Sequence, residues 1–298
     1  AFTRKGDVFY RISISQKKVI KEYRDIKDQY GLPVGGELRN MSRIDANRFA
    51  FTTYFSGLYI LDLQKETAQH WVHDPVDPRS IGGNNTFNIR YDSTCYLFVT
   101  TQTSCLHFYN LKQQQATSKP YFIDDNKQVF DGYIQSLTTD EEGNIWMGAQ
   151  DRLIRWNRAT DKTLYVPLQL PDGTNPSGKE TFRVVRMDEN GNLWVGTSRF
   201  GILILNKQLK VIKQITDSMP GKRAALPSAW INAIATDKNG NKWITTLRGT
   251  CIINAKNYEI ISLKDHPLLG GMSTIPGASL WNDGNGKMWI GTTRGAWC

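Results

Sequence analysis

Arg152, Arg199, Arg248 and Arg294 stand at nearly the same step, five or six residues after Trp146, Trp194, Trp243 and Trp289. A guanidinium group grips carboxylate or sulfate through two parallel hydrogen bonds, so four of them on one face would favour an acidic ligand. Hydrated turn arginines carried along by a repeat would show the same spacing. A second group, Tyr133, Arg183, Trp230 and Asn232, with Asn40, Phe87, Gln135 and Phe182 beside them, combines aromatic faces with amides and an arginine. Sugar binding uses such sets, rings stacking on C–H faces and polar groups meeting hydroxyls. Phe182 and Trp230 could equally serve as packing between structural units.

Catalytic chemistry has little to work with. His70 and His73 lie three apart, and on a strand that spacing faces opposite sides, which makes a poor metal pair. His107 and His266 have no nucleophile motif near them, and Asp124-Asp125 and Asp140-Glu141-Glu142 read as turn carboxylates. Neither a metal nor a cofactor is called for.

What must position these residues is a repeat. DEEGNIWMGAQDRLIRWN, DENGNLWVGTSRFGILILN, DKNGNKWITTLRGTCIIN and NDGNGKMWIGTTRGAWC carry Trp146, Trp194, Trp243 and Trp289 at spacings of 48, 49 and 46 residues, and weaker copies upstream place Phe98 and Phe51. Six copies result, each with an Asp (Asp45, Asp92, Asp140, Asp188, Asp237, Asp283) six residues before its aromatic. Apolar runs of four to six residues broken by polar turns mark strands. Four strands at a period in the forties mark the blades of an all-β propeller.

The aromatics Phe51, Phe98, Trp146, Trp194, Trp243 and Trp289 are expected to fill the wedge between adjacent blades. A buried ring of roughly 200 Å² at about 25 cal/mol/Å² gives on the order of 5 kcal/mol as an upper bound. Gly148, Gly196 and Gly291 follow their Trp by two residues and should let neighbouring backbones approach. Thr245 takes that place in the fifth copy, and Thr53 and Thr100 in the first two. The chain starts and stops inside a unit, so either strands around Val8–Ile14 and Val19–Tyr23 complete the blade begun at Leu280, or residues 1–298 are a propeller or partial propeller cut from a larger protein, the favoured expectation.

With 298 residues, 40% hydrophobic and 22% charged, the composition is that of an ordinary soluble core. No apolar run approaches the roughly 18 residues needed to cross a membrane, and no signal peptide opens the sequence. The net charge of +9 is spread through all units without a basic, aromatic-interleaved run, so nucleic acid is not expected as a partner. Cys95, Cys105, Cys251 and Cys298 show no metal spacing and read as buried apolar thiols.

Long loops rich in Pro, Gly, Asp and Ser (residues 25–36, 74–85, 121–132, 167–180, 216–228 and 264–277) join each blade to the next. Strand direction repeats, so these loops emerge with the turns between second and third strands on one face, the expected place for a ligand.

The pattern D-x-x-G-N-x-W-x-G-T-x-x-x-G-[IL] resembles the two-component regulator propeller repeat, and the linker HDPVDPRSIGGNNTFNIRYD, from His73 to Asp92, is similar to that family's recurrent loop. The resemblance implies the periplasmic sensor region of an inner-membrane hybrid histidine kinase of Bacteroidetes. It further implies seven-bladed tandem propellers followed by a β-sandwich, with kinase activity outside this region. Glycan-derived oligosaccharides would be sensed, uronic or sulfated ones being favoured by the basic balance. Partners would be adjacent propeller and sandwich domains and, in a dimeric sensor, a second copy. The rival expectation is a non-sensing propeller that docks proteins at the cell surface or in secretion.

Overall fold

The computed structural model describes residues 2–5, 8–13, 16, 18–92, 95–102, 106–113, 115–119, 121–218, 225–264, 266–267, 269–282, 286–292 and 295–297. Arg294, Asp283, Cys105 and Cys298 lie outside them. The chain divides into two compact units, residues 1–134 and 135–298.

Both units are built from antiparallel sheets whose strands pair in chain order. An N-terminal three-stranded sheet (Phe2–Lys5, Val8–Ser13, Lys18–Tyr23) is followed by blade 1 (Glu37–Arg43, Arg48–Tyr54, Leu58–Asp62, Thr67–Trp71) and blade 2 (Thr86–Tyr91, Tyr96–Thr101, Leu106–Asn110, Gln115–Lys119). Blade 3 comprises Ile134–Thr139, Ile145–Ala149, Leu153–Asn157 and Lys162–Tyr165; blade 4 comprises Phe182–Met187, Leu193–Thr197, Ile202–Leu205 and Val211–Ile215. Blade 5 comprises Ile231–Thr236, Lys242–Thr246, Gly249–Ile253 and Ile260–Ser262, and blade 6 has three described strands, Gly277–Asn282, Met288–Thr292 and Gly295–Trp297. The fold is an all-β propeller of four-stranded blades, as the repeat predicts.

In blades 3, 4 and 5 the repeated Asp builds the first turn and anchors the indole. Asp188 Oδ1 accepts the N–H groups of Asn190 and Asn192, while its Oδ2 accepts Asn192 Nδ2 and, at 3.0 Å, Trp194 Nε1. Asp140 holds Trp146 at 2.8 Å and Asp237 holds Trp243 at 3.2 Å in the same way. Gly191, at φ +76°, turns the chain where a side chain would be strained. Cys95 stands at that step in blade 2 and takes φ +70°. It is therefore a half-buried turn residue, correcting the expectation of a core thiol; Cys251 is the core thiol, its ionisation pushed up to about 12 by burial.

Within residues 135–298 the tryptophans pack forward onto the next blade. Trp194, fully buried, joins Ile202 and Ile204 of its own blade to Ile231, Ile234 and Ile244 of blade 5. Trp146 meets Phe182 and Val185 of blade 4, and the half-buried Trp243 meets Met272 and Ile290. A Cβ on Gly196 would come within 2.6 Å of Ile231 Cγ2, which explains the glycine there. Where Thr245 replaces it, the facing residue is Gly277, so the small side chain has moved to the partner strand.

Blade 1 departs from the expected register by one residue. Its first hairpin is as long as that of blade 4, Arg43 pairing with Phe49 as Met187 pairs with Leu193, but Ile44 takes the step of Asp188: Ile44 N–H reaches Arg48 O as Asp188 N–H reaches Asn192 O, and Asp45 sits one residue further into the turn. Ala50 rather than Phe51 therefore occupies the aromatic's step, facing Ile81, Ile89 and Val99 toward blade 2. Phe51 points the other way, 5.5 Å from the ring of Phe9 in the N-terminal sheet and 5.2 Å from Tyr59. One residue of slip moves a strand side chain to the opposite face. The same correction places Thr52, not Thr53, opposite blade 2, where its hydroxyl donates to Phe87 O at 3.2 Å.

Candidate functional site

In each blade the end of the second strand, the following turn and the start of the first strand meet at one edge. Phe182 pairs with Thr197, and Ile202 with Ile215. The Thr of the repeat closes this edge: Thr197 Oγ1 donates to Gly201 O at 2.9 Å, and Thr53, Thr246 and Thr292 donate to Gly57, Gly249 and Gly295 at 2.8 Å. The Asp, Trp, Thr and Gly of the motif are thus engaged in folding the blades. Ligand chemistry has to come from positions that differ between copies.

Those positions are set by β-bulges. In the first strands pairing skips Arg39 in blade 1, one residue within Phe87–Asn88 in blade 2, Arg183 in blade 4, Asn232 in blade 5 and Ala278 in blade 6. A bulge re-aims the side chain of the extra residue. Arg39, Phe87, Arg183, Asn232 and Ala278 each stand eleven residues before the aromatic's step of their copy, and so does Gln135 of blade 3.

Arg183, Trp230 and Asn232, three of the residues expected from sequence, come together. The guanidinium of Arg183 lies 4.4 Å from the centroid of Trp230, and its Nε donates to Ile231 O at 3.0 Å. Trp230 Nε1 donates to Asn232 Oδ1 at 3.1 Å, and Asn232 Nδ2 to Gly277 O at 3.0 Å. Trp230 remains 38% exposed, enough to offer ring surface to a ligand. Phe182, by contrast, is fully buried in the core between blades 3 and 4.

Tyr133 belongs to the other unit and stacks on Phe87, centroids 5.9 Å apart and planes at 27°. Beside them lies Arg39, which sequence reasoning missed. Its Cζ is 4.3 Å from the ring centroids of both Tyr54 and Phe87. Anchoring the first copy on Phe51 pointed to Asn40; counting eleven residues back from Ala50 finds Arg39.

The turn arginines have separate surroundings. Arg152 Nε bonds Asp151 Oδ1 at 2.7 Å, which raises its affinity for its proton, and its guanidinium covers the ring of Tyr165 at 4.7 Å. Arg199 is exposed but reaches the buried carboxylate of Glu180 at 3.5 Å. Arg248 is exposed. Two of the three described arginines thus already have a carboxylate partner in the protein.

The histidines serve the fold. His70 Nδ1 faces Asp28 Oδ2 at 3.0 Å and its Nε2 faces Ser56 O at 2.7 Å, while His73 Nδ1 faces Ile81 O at 2.8 Å. His107 is buried; desolvation, with the nearby charge of His73, pushes its imidazole down to about 4. Among the described residues no group of three or more His, Cys, Asp or Glu could hold a metal ion.

Neither a protein-family model nor a curated protein sequence matches the chain. Solved structures do. The extracellular domain of a protein assigned as a hybrid two-component system of B. thetaiotaomicron superimposes with a TM-score of 0.66 at 20% identity, over 87% of this chain and 33% of its own. A second such domain from B. thetaiotaomicron gives 0.68 at 15% identity, over 97% and 35%. PorZ, an essential surface component of the type-IX secretion system of Porphyromonas gingivalis, gives 0.62 at 18% identity, over 86% and 38%. The chain spans about a third of the length of each. Its blades are therefore those of the propeller fold found in extracellular domains of hybrid two-component systems.

Proposed function

We propose that this chain is the extracytoplasmic ligand-sensing propeller of a hybrid two-component histidine kinase, placed in the periplasm. It binds a glycan-derived oligosaccharide at the long-loop edge and through the kinase controls polysaccharide-utilisation genes. The observation that carries the reading is the pair of bulge residues Arg183 and Asn232 with Trp230 between them: an indole with exposed surface, a guanidinium over it and an amide hydrogen-bonded to its N–H. Ring stacking with adjacent polar groups suits a sugar. The region itself performs no chemistry. A ligand that prefers one arrangement of this propeller and its neighbouring domains shifts that equilibrium, and the shift is read across the membrane.

A thermal-shift screen against neutral, uronic and sulfated oligosaccharides tests this, because a ligand that binds only the native state raises the melting temperature. The reading predicts a saturable shift with one sugar class; no shift with any class would count against it. A protein-docking scaffold is the second reading. It draws on the likeness to PorZ and on the exposed apolar residues Tyr30, Leu32, Phe55 and Val76 in residues 1–134.

A further inference from the structure

Arg39 is a half-buried cation held over two rings, with its Cζ 4.3 Å from the centroids of Tyr54 and Phe87. Its side chain makes no hydrogen bond and no ion pair among the described residues. Glu37, exposed on the same strand, and Tyr54 are the titratable groups whose fields reach it, and burial holds the guanidinium below the usual arginine range. With the rings engaging its charge, the remaining valence of the group is its N–H donors. A partly desolvated fork of donors of this kind matches a two-oxygen anion.

The rest of the site is already built. Phe87 is locked against Tyr133, and Tyr54 against the edge of Phe55 at 4.1 Å, so the two rings that hold the guanidinium are themselves held. The bulge that skips Arg39 fixes the backbone beneath it. Tyr54 and Phe55 remain 40% and 63% exposed, which leaves ring surface beside the cation for the apolar face of a sugar.

We propose that Arg39, held over the rings of Tyr54 and Phe87, is an anion subsite that takes the carboxylate or sulfate group of an acidic saccharide, with Tyr54 and Phe55 receiving the adjoining ring. The inference deepens, and rests on, the ligand-sensing reading. It adds a second site, in residues 1–134, to the one around Trp230.

The test is calorimetric titration of the whole chain with a uronic oligosaccharide, its sulfated counterpart and a neutral oligosaccharide of equal length, repeated on Arg39→Gln and Arg39→Lys. Binding of one acidic class should fall at least tenfold in Arg39→Gln. Arg39→Lys, which keeps charge and packing but loses the planar fork, should fall several-fold and guards against a folding defect in the first variant. Neutral-sugar affinity should be unchanged in both. The acidic arm that binds tells carboxylate from sulfate. Acidic binding unaffected by either variant overturns the subsite; binding of neutral sugar alone overturns it while leaving the sensing reading intact; no binding of any saccharide overturns both.

Discussion

Asp188 Oδ2 accepts the indole N–H of Trp194 at 3.0 Å while Asp188 Oδ1 accepts two backbone N–H groups of the turn between them. One carboxylate thereby ties the geometry of a hairpin turn to the position of the ring that packs on the next blade. Asp140 with Trp146 and Asp237 with Trp243 repeat the device, so the six-residue spacing in these copies is a hydrogen-bonding distance.

Asp188→Ala leaves the indole N–H and the turn donors without an acceptor and should cost about 2–4 kcal/mol, since each buried unpaired donor costs about 1–3 kcal/mol. Trp194→Phe keeps most of the packing and removes the N–H. Urea unfolding of the two single variants and the double should show a coupling of about 0.5–3 kcal/mol. Additive effects would mean that the pair is independent.

The first blade offers a sharper check of register. Phe51→Ala should cost about 3–5 kcal/mol, because the ring is fully buried against Phe9 and Tyr59. Ala50→Trp restores the repeat by position yet should destabilise by about 1–3 kcal/mol through overpacking. A stabilising Ala50→Trp, measured by denaturant midpoint, would contradict the assigned step.

Cys95 occupies the glycine step of its turn at φ +70°. Cys95→Gly relieves that strain and should raise stability by about 0.5–1 kcal/mol after the extra entropy of glycine is counted. A loss of stability would mean that the contact of Tyr91 Oη with Cys95 Sγ, 3.9 Å apart, outweighs the backbone.

His107 predicts an acid-side loss of stability. Its ring accepts Gly82 N–H at 3.3 Å and titrates near 4 in the fold, against 6.5 when unfolded. Between those values the unfolded chain binds a proton that the folded chain refuses, so stability falls as pH drops from 6.5 toward 4, by up to about 3 kcal/mol. His107→Gln should flatten this window in melts of the whole chain. An unchanged pH profile would show that His107 protonates freely in the fold.

The architecture was legible in the sequence because turn chemistry and strand period repeat together: Asp188, Gly191, Trp194 and Thr197 each do a local job that spacing reveals. The register of blade 1 was not, because Asp45 sits one residue further into its turn than Asp188 does, which puts Phe51 at the right count from the Asp but on the wrong face. That slip also hid Arg39. Bulges leave no residue-type signature, so the grouping of Arg183, Trp230 and Asn232 could be suspected from composition but not their contacts. For the turn arginines, spacing could not foretell that Asp151 and Glu180 would engage Arg152 and Arg199.

Ligand chemistry is assigned to the bulge residues Arg183 and Asn232 and to the Trp230 indole they hold, outside the repeated motif. This is tested most directly by calorimetric titration of the best-binding oligosaccharide into the wild-type chain, Trp230→Ala and Arg152→Ala. Trp230→Ala should lose at least tenfold in affinity, with Arg152→Ala close to wild type. Undiminished binding by Trp230→Ala, or a loss confined to Arg152→Ala, would contradict it.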